Sequence, residues 1–238
     1  MKRIFLTGLL FLAAAVAFSQ KSKKTSIEAK AFNIGAFYLN PSRAQFDKYI
    51  NTISTTLGLA NTIKPATNVG GSFAFSIRNN KNEFEVGGAL AIGLRQKSSN
   101  AANTVTASLS TKTIDIHFGY CNYVGGPLFI GFDLGAVNND GKLEQVGAPS
   151  NLFEATPGSS NPFKGYIFSV KPKAGLFFPF KSKGYSGFKL TAFYDLGISK
   201  YQFYTNDIFD IRLKNYTGET KSSYNAFGAQ AAIVVGLD

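Results

Sequence analysis

The sequence has very little of the residue types that form cross-links and metal centres. Its 238 residues contain one cysteine, one histidine, one methionine and no tryptophan. A lone cysteine, Cys121, excludes an internal disulfide. The lone histidine, His117, has only Asp115 and Cys121 near it in sequence, spread along one face of a predicted strand, so we predict no metal site and no cofactor.

Long apolar runs are also missing, except at the amino terminus. The stretch "MKRIFLTGLLFLAAAVAFSQ" has a basic start, an apolar core over residues 4–16 and a small-x-small site that ends at Ser19. This pattern is typical of a secretory signal peptide, which we assign to residues 1–19 with cleavage between Ala17 and Gln20. No later run is long enough for a membrane-spanning helix. We therefore expect an exported chain, without a cysteine for a lipid anchor at the cleavage point.

Acidic residues are few. Of the 25 basic residues two lie in the predicted signal peptide, and none of the 14 acidic ones does, which leaves a mature charge of +9. The lysines are scattered over turns, loops and strands rather than gathered in a stripe, so we predict no nucleic-acid partner. With only 16% charged residues, 14% aromatic residues and 24 glycines, the composition suits a surface that faces lipid better than one that faces water.

What the sequence does have is strict alternation. In "FKLTAFYDLGISK", residues 188–200, apolar side chains occupy every second position. Because successive side chains leave a strand on opposite faces, this period predicts a β-strand with one apolar face. Eight stretches follow the pattern, and they are residues 28–39, 69–78, 84–95, 113–121, 127–137, 165–178, 188–200 and 225–237.

The connections between these stretches alternate in length. Those after the first, third, fifth and seventh strands are mostly long, namely 40–67, 97–104, 138–163 and 202–222, whereas those between are short, namely 78–82, 122–126 and 181–186. Loops at one end and tight turns at the other are typical of an outer-membrane barrel. We therefore predict an all-β fold over residues 26–238, an eight-stranded antiparallel up-and-down transmembrane β-barrel with a short helix in the first extracellular loop.

A soluble lipocalin-like binder would show the same alternation with the apolar side turned inward. Two features favour the membrane barrel instead. The polar faces are rich in glycine, alanine and serine, which suit a narrow interior. Aromatic residues also gather near the strand ends, as the girdles of a membrane barrel do. They are Tyr120, Tyr123, Phe178, Tyr185 and Phe188 at one end, and Tyr38, Tyr166, Tyr201, Phe203 and Tyr204 at the other.

On these strands and connections the chain resembles the small eight-stranded outer-membrane proteins of the OmpA and OmpX kind, of porin-family type. The resemblance covers residues 26–238 and rests on architecture rather than on fixed residues. The chain departs from these proteins in two ways. It has no tryptophan, and its last residues are "VVGLD", whereas such barrels often end on an aromatic residue. The resemblance implies residence in the cell outer membrane as a monomer. Its implied partners are outer-membrane lipid, the barrel assembly machinery and an extracellular ligand or partner.

The interior of an eight-stranded barrel is just wide enough for side chains to fill. Alternate positions along each strand face the interior, and a set of charged side chains occupies such positions. Buried charges are tolerated when they are paired. We predict that these residues form a plugging ion network, and a gated ion path is the alternative. The predicted network consists of Glu85, Arg95, Asp115, Asp133, Lys171, Lys173, Lys189 and Asp195.

The first long connection carries a helical signal. In "SRAQFDKYINTISTTLG", Ser42 and Gln45 form a capping-box pattern and Gly58 is a helix stop. Phe46, Ile50, Ile53 and Leu57 share one helical face. We expect this face to pack on the barrel rim; an exposed helix that lies on headgroups or receives a partner is the alternative.

Three functions remain for such a barrel. The leading prediction is a structural and surface-interaction role, without enzymatic activity. The second is a small-solute or ion pore of porin type. The third is an outer-leaflet lipid-modifying enzyme, which would use His117 as its base. We disfavour it because strand parity sets His117 facing the lumen in the half of the barrel near the short turns.

Overall fold

The structure, a computed structural model, describes residues 29–64, 67–79, 81–147, 153–155, 163–181, 185–202, 211–213, 217–219 and 221–237. The predicted signal peptide, residues 1–19, lies outside the described residues. Among those residues, no helix has the length and apolar character needed to cross a bilayer.

Eight long antiparallel strands form the body of the protein. They are β1 (Ala29–Ser42), β2 (Asn68–Asn79), β3 (Asn82–Gly93), β4 (Thr106–Gly125), β5 (Leu128–Val146), β6 (Phe163–Pro179), β7 (Gly187–Gly197) and β8 (Asn225–Leu237). Each strand pairs with the next in sequence, and β8 pairs with β1, so the sheet closes on itself. The predicted eight-stranded up-and-down barrel is therefore confirmed.

The smaller elements all lie at the end of the barrel with the long connections. Helix α1 (Ala44–Thr56) follows β1, and the short strand Gln96–Ser99 pairs with the beginning of β4. Two further ladders join Phe153–Ala155 to Ile211–Leu213 and Tyr201–Gln202 to Lys221–Ser222. The long connections at this end are therefore tied together by backbone hydrogen bonds.

The apolar faces of the strands point outward. Ile130, Leu190 and Val235 expose 50%, 38% and 47% of their surface, whereas Asp133 and Lys189 expose 6% and 4%. A soluble barrel has the opposite arrangement, so the lipocalin-like alternative is wrong for this chain. This orientation gives the exterior an apolar belt and confines the charged residues to a closed centre.

Strand β5 is longer than we predicted, and β4 begins well before the alternating stretch that starts at residue 113. Their ladder continues to the pair Thr106 and Val146, so the segment after Val137 that we predicted as loop is strand instead. The alternation of apolar residues ends near Val137 because the strands leave the apolar belt there. Backbone pairing needs no such alternation, and the hairpin therefore extends beyond the belt.

Candidate functional site

The charged side chains of the interior form two connected clusters. In the first, the ammonium group of Lys173 pairs with both Glu85 and Asp133. Lys189 lies beside it, with its Nζ atom 2.6 Å from Oε1 of Glu83 and 3.1 Å from Oε2 of Glu85. Glu85 thus bridges two lysines that come from different strands, β6 and β7.

The second cluster surrounds Lys171, which is one inward position away from Lys173 on β6. Its ammonium group pairs with Asp115 across the lumen and lies 3.6 Å from Oδ2 of Asp195. The ring of His117 completes the cluster, since its Nδ1 atom is 2.9 Å from Oδ2 of Asp115. All these side chains are buried or nearly so. Pairing is what makes their burial tolerable, because an isolated charge in such a site is strongly unfavourable.

A glycine provides the space in which the first cluster forms. Gly119 on β4 lies opposite Glu85 on β3 and Asp133 on β5. A Cβ atom at this position would lie 2.3 Å from Oδ1 of Asp133, 2.7 Å from Cγ of Glu85 and 2.9 Å from Nζ of Lys173. The ion pairs therefore require the absence of a side chain here.

The structure brings together seven of the eight residues that we predicted for the network. They are Glu85, Asp115, Asp133, Lys171, Lys173, Lys189 and Asp195. It also adds Glu83 and His117. The sequence analysis missed Glu83 because the predicted strand began at Phe84. Extending the strand by one residue toward the amino terminus would have placed Glu83 on the same inward face as Glu85.

Arg95 does not belong to the network, and that prediction was wrong. Strand β3 ends at Gly93, so the inward parity no longer applies two residues later. The Arg95 side chain is 62% exposed, pairs with Glu144 and donates from Nε to Oγ of Ser108 at 3.0 Å. A hydrogen bond from Lys142, together with the Arg95 charge, holds the pKa of the Glu144 carboxyl below its ordinary value.

One group of interior side chains has the composition of a metal site. Ligand atoms of Glu85, His117 and Asp133 all lie within 4.8 Å of one another. Sequence spacing did not indicate this set, because its members come from three neighbouring strands. The Lys173 ammonium group already pairs with both carboxylates, so a metal ion at this position would compete with an internal cation.

At the short-turn end, aromatic rings close the interior. The Arg78 guanidinium lies 3.6 Å from the ring centroid of Tyr123, whose hydroxyl donates to Oε2 of Glu83 at 2.6 Å. The rings of Phe129 and Phe177 pack against Tyr123, with centroids 5.6 and 6.2 Å away. We predicted Tyr123 and Tyr185 in an outer girdle, and the structure instead turns Tyr123 inward and packs Tyr185 against Phe177, with ring centroids 5.9 Å apart.

At the long-loop end, helix α1 closes the interior. Its predicted face is buried, with Phe46 and Ile53 fully enclosed and Ile50 and Leu57 nearly so. This face packs on inward side chains of the surrounding strands, among them Leu39, Leu109, Val137, Ile167, Phe193 and Tyr224. Burial of each large apolar side chain contributes about 1.5–3 kcal/mol. The helix thus covers the barrel mouth with this face, as we expected, while its opposite face, which includes Lys48 and Thr52, is exposed.

The amino terminus of the helix is capped by a distant residue. Ser42 is the last residue of β1 and makes no cap, so the predicted capping box is wrong. The hydroxyl oxygen of Ser222 accepts from the backbone N–H groups of Gln45 and Phe46 at 3.3 and 3.4 Å. At the other end, Gly58 takes the left-handed φ of +61°, as we expected of a helix stop.

Between these two closures lies a small polar cavity. Its volume is about 10 Å³, and its walls include Asp115, His117, Asp133, Lys171 and Gln230. A space of this size holds about one water molecule. The interior therefore has charged groups and room for bound water, but packed side chains separate it from both ends.

No protein family matches the sequence, and no curated protein matches it either. The fold is similar to several solved structures at low sequence identity. Neisserial surface protein A is 9% identical, with 87% of this chain and 96% of that chain covered and a TM-score of 0.46.

Ail of Yersinia pestis, solved with the heparin analogue sucrose octasulfate, is 13% identical, with coverage of 87% and 97% and a TM-score of 0.42. OprG of Pseudomonas aeruginosa is 11% identical, with coverage of 88% and 96% and a TM-score of 0.44. The assignment of this chain as a closed eight-stranded barrel rests on its own strand register.

Proposed function

We propose that this protein is an integral barrel of the outer membrane with a structural and surface-interaction role, and that its lumen does not conduct. The observation that carries the proposal is the inversion of burial along each strand. On β7, for example, Leu190 is exposed while its neighbours Lys189 and Thr191 are buried. An apolar belt around a charged, filled centre is stable in hydrocarbon and unfavourable in water.

The surface available to a ligand or partner lies at the long-loop end. Paired short strands and the extended β4–β5 hairpin support it, and the exposed side chains there include Arg95, Lys97 and Lys112. In the proposed orientation this end faces outward from the cell and the short turns face the periplasm. Export through the signal peptide at residues 1–19 and insertion as a monomer by the barrel assembly machinery are parts of the same proposal.

A pore of porin type is the second candidate, and the charged lining of the lumen favours it. Helix α1 at one end and the Tyr123 cluster at the other count against it. Planar-bilayer recordings distinguish the two functions. We expect no steady current from the purified protein, whereas a current that is lost on Asp133→Asn or Lys171→Met substitution would establish the pore.

Membrane residence itself is tested by fractionation and gel migration. We expect the mature chain in the membrane fraction, soluble only with detergent, and migrating faster on a gel before boiling than after it. A freely soluble mature chain would refute the proposal. Lipid analysis after His117→Ala substitution tests the enzyme alternative, since a change in lipid acylation would identify that histidine as a base.

A further inference from the structure

Four exposed basic side chains lie on the outside of the barrel wall at the long-loop end. They are Arg95, Lys97, Lys112 and Lys142, and we call them the basic flank patch. Arg95 and Lys97 follow β3, Lys112 belongs to β4 and Lys142 belongs to β5. The Arg95 and Lys142 side chains expose 62% and 44% of their surface. Such a concentration of positive charge is a candidate binding surface for an anion.

The strand register turns this patch sideways, away from the lumen. Lys97 pairs with Ser108 and Lys142 pairs with Ser110, and residues that pair directly lie on the same face of a sheet. Both serines continue the row of alternate β4 residues that contains Ile116, which is 64% exposed on the exterior. The basic flank patch therefore occupies the same outer surface as the apolar belt.

The patch begins where the apolar belt ends. Leu94, which is 68% exposed, immediately precedes Arg95, and Lys112 is the next exterior residue of β4 beyond Ile114. From Lys112 to Ser108 the chain advances four residues, which is about 14 Å along the strand and about 10 Å along the membrane normal at the usual tilt. Since the headgroup layer on each side of a bilayer is about 5–8 Å thick, the patch lies at headgroup depth in the proposed orientation.

Glu144 shows how the patch holds an anionic group. Its carboxylate pairs with both Arg95 and Lys142. The Arg95 guanidinium is also fixed in place, because it donates from Nη2 to Oγ of Ser108 at 2.8 Å. The outer edge of the patch is thus arranged to hold oxygen anions between a guanidinium and an ammonium group.

Lys97 and Lys112 are the cations that this internal carboxylate leaves free. Neither has an ion-pair partner within the part of the chain that the structure describes. Asp140 lies opposite Lys112 in the register and is partly buried. With Glu144 and Asp140 both counted, four positive charges face two negative ones, so the patch keeps a net charge of +2.

The opposite flank of the barrel lacks this charge. In the closed ring of eight strands, the pair β8 and β1 lies across the barrel from the pair β4 and β5. The exterior of β1 and β8 ends near the mouth on Tyr38, Asn40 and Phe227, which are uncharged. A soluble polyanion is a poorer partner for a sideways patch than a lipid, because lipids surround the sides of a membrane barrel and leave its mouth open.

We propose that the basic flank patch binds the phosphate groups of anionic lipids in the outer leaflet, chiefly through Lys97 and Lys112, with Arg95 beside them. Basic residues next to a membrane surface attract anionic headgroups, and each residue adds to the attraction. The barrel would thus have a preferred lipid on one flank and none on the other. This inference rests on the proposed membrane residence, which the same experiment tests separately.

A single tryptophan reports which lipid lies against the patch, because the chain has none of its own. Leu94→Trp places the reporter next to Arg95, and Phe227→Trp places a matched control on the uncharged flank. Each variant is refolded in vesicles of phosphatidylcholine with brominated chains, which quench any tryptophan that they touch. Part of this lipid is then replaced by an unbrominated competitor, either phosphatidylcholine or lipid A, which is a phosphorylated glycolipid.

Lipid A should displace the brominated lipid selectively at the patch. We expect it to relieve the quenching at position 94 about ten-fold more effectively than phosphatidylcholine does, and to show no such preference at position 227. Equal relief by the two competitors at position 94, with both tryptophans quenched, would overturn the inference and leave membrane residence standing. Absence of quenching at both positions would refute membrane residence, and the inference with it.

Charge variants in the Leu94→Trp background assign the preference to named residues. Lys97→Gln combined with Lys112→Gln breaks no internal ion pair and should reduce the preference to about three-fold. Glu144→Gln removes the internal competitor and should raise the preference about three-fold. An unchanged preference in the lysine variant would overturn the proposal. Loss of the preference in an excess of inorganic phosphate would assign the patch to a free anion and would overturn it as well.

Discussion

The prediction with the sharpest consequence concerns Lys173, whose ammonium group neutralises two buried carboxylates at once. Replacement by methionine keeps most of the side-chain volume and removes the charge. Asp133 then loses its ion-pair partner, while Glu85 retains Lys189 at 3.1 Å. Breaking a buried pair by removal of one partner costs about 3–5 kcal/mol, because an uncompensated charge is left behind.

The double variant Lys173→Met, Asp133→Asn separates this electrostatic cost from lost packing. An amide at position 133 needs no counter-charge, so we expect the double variant to recover about 1–3 kcal/mol relative to Lys173→Met alone. Asp133→Asn by itself leaves Lys173 paired with Glu85 and should cost only about 1–3 kcal/mol.

The assay is urea titration of the barrel refolded in lipid vesicles, followed by gel migration without boiling. Refolding and unfolding curves must coincide before free energies are compared. A Lys173→Met variant as stable as the parent, or a double variant less stable than Lys173→Met, would contradict the paired charges of the interior.

Three further predictions use the same unfolding assay. Leu190→Lys sets a charge on the exterior of β7 and should cost about 2–4 kcal/mol near the bilayer midplane, whereas a water-facing exterior would accept it without loss. Gly119→Ala should cost about 1–3 kcal/mol through overpacking against Asp133 and Glu85; its control is Gly71→Ala, where the nearest atom to an added Cβ is 3.9 Å away, and equal losses would contradict the prediction. Ser222→Ala removes the cap of α1 and should cost about 1 kcal/mol, and it should speed maleimide modification of an Ile50→Cys, Cys121→Ser variant; unchanged modification would mean that this contact does not hold the helix in place.

Sequence and structure agree best within single strands. The period of two along β7 predicted that Leu190 points outward and Lys189 inward, and both orientations are confirmed. The face to which a side chain points depends only on its position along its own strand, so it can be predicted from a single sequence. Such predictions fail at strand ends: Arg95 lies past the end of β3, where parity no longer applies, and Glu83 lies one step before the strand that we predicted.

The partners of each inward residue depend on features that no single strand contains. Lys173 meets Glu85 and Asp133 because the register of β3, β4 and β5 aligns them around Gly119. Register is determined by how the whole sheet closes, and a shift of one residue would turn every side chain to the other face. The metal-like grouping of Glu85, His117 and Asp133 arises in the same way and has no signature in sequence spacing.

The number of strands, the direction of each face and the amphipathic helix could therefore be predicted from the sequence, because these follow from short-range periodicity. The tertiary structure was needed to show which strand residues the helix packs on, that Ser222 caps it and that Tyr123 closes the opposite end. Those contacts join residues distant in sequence, and barrel closure is what brings them within bonding distance.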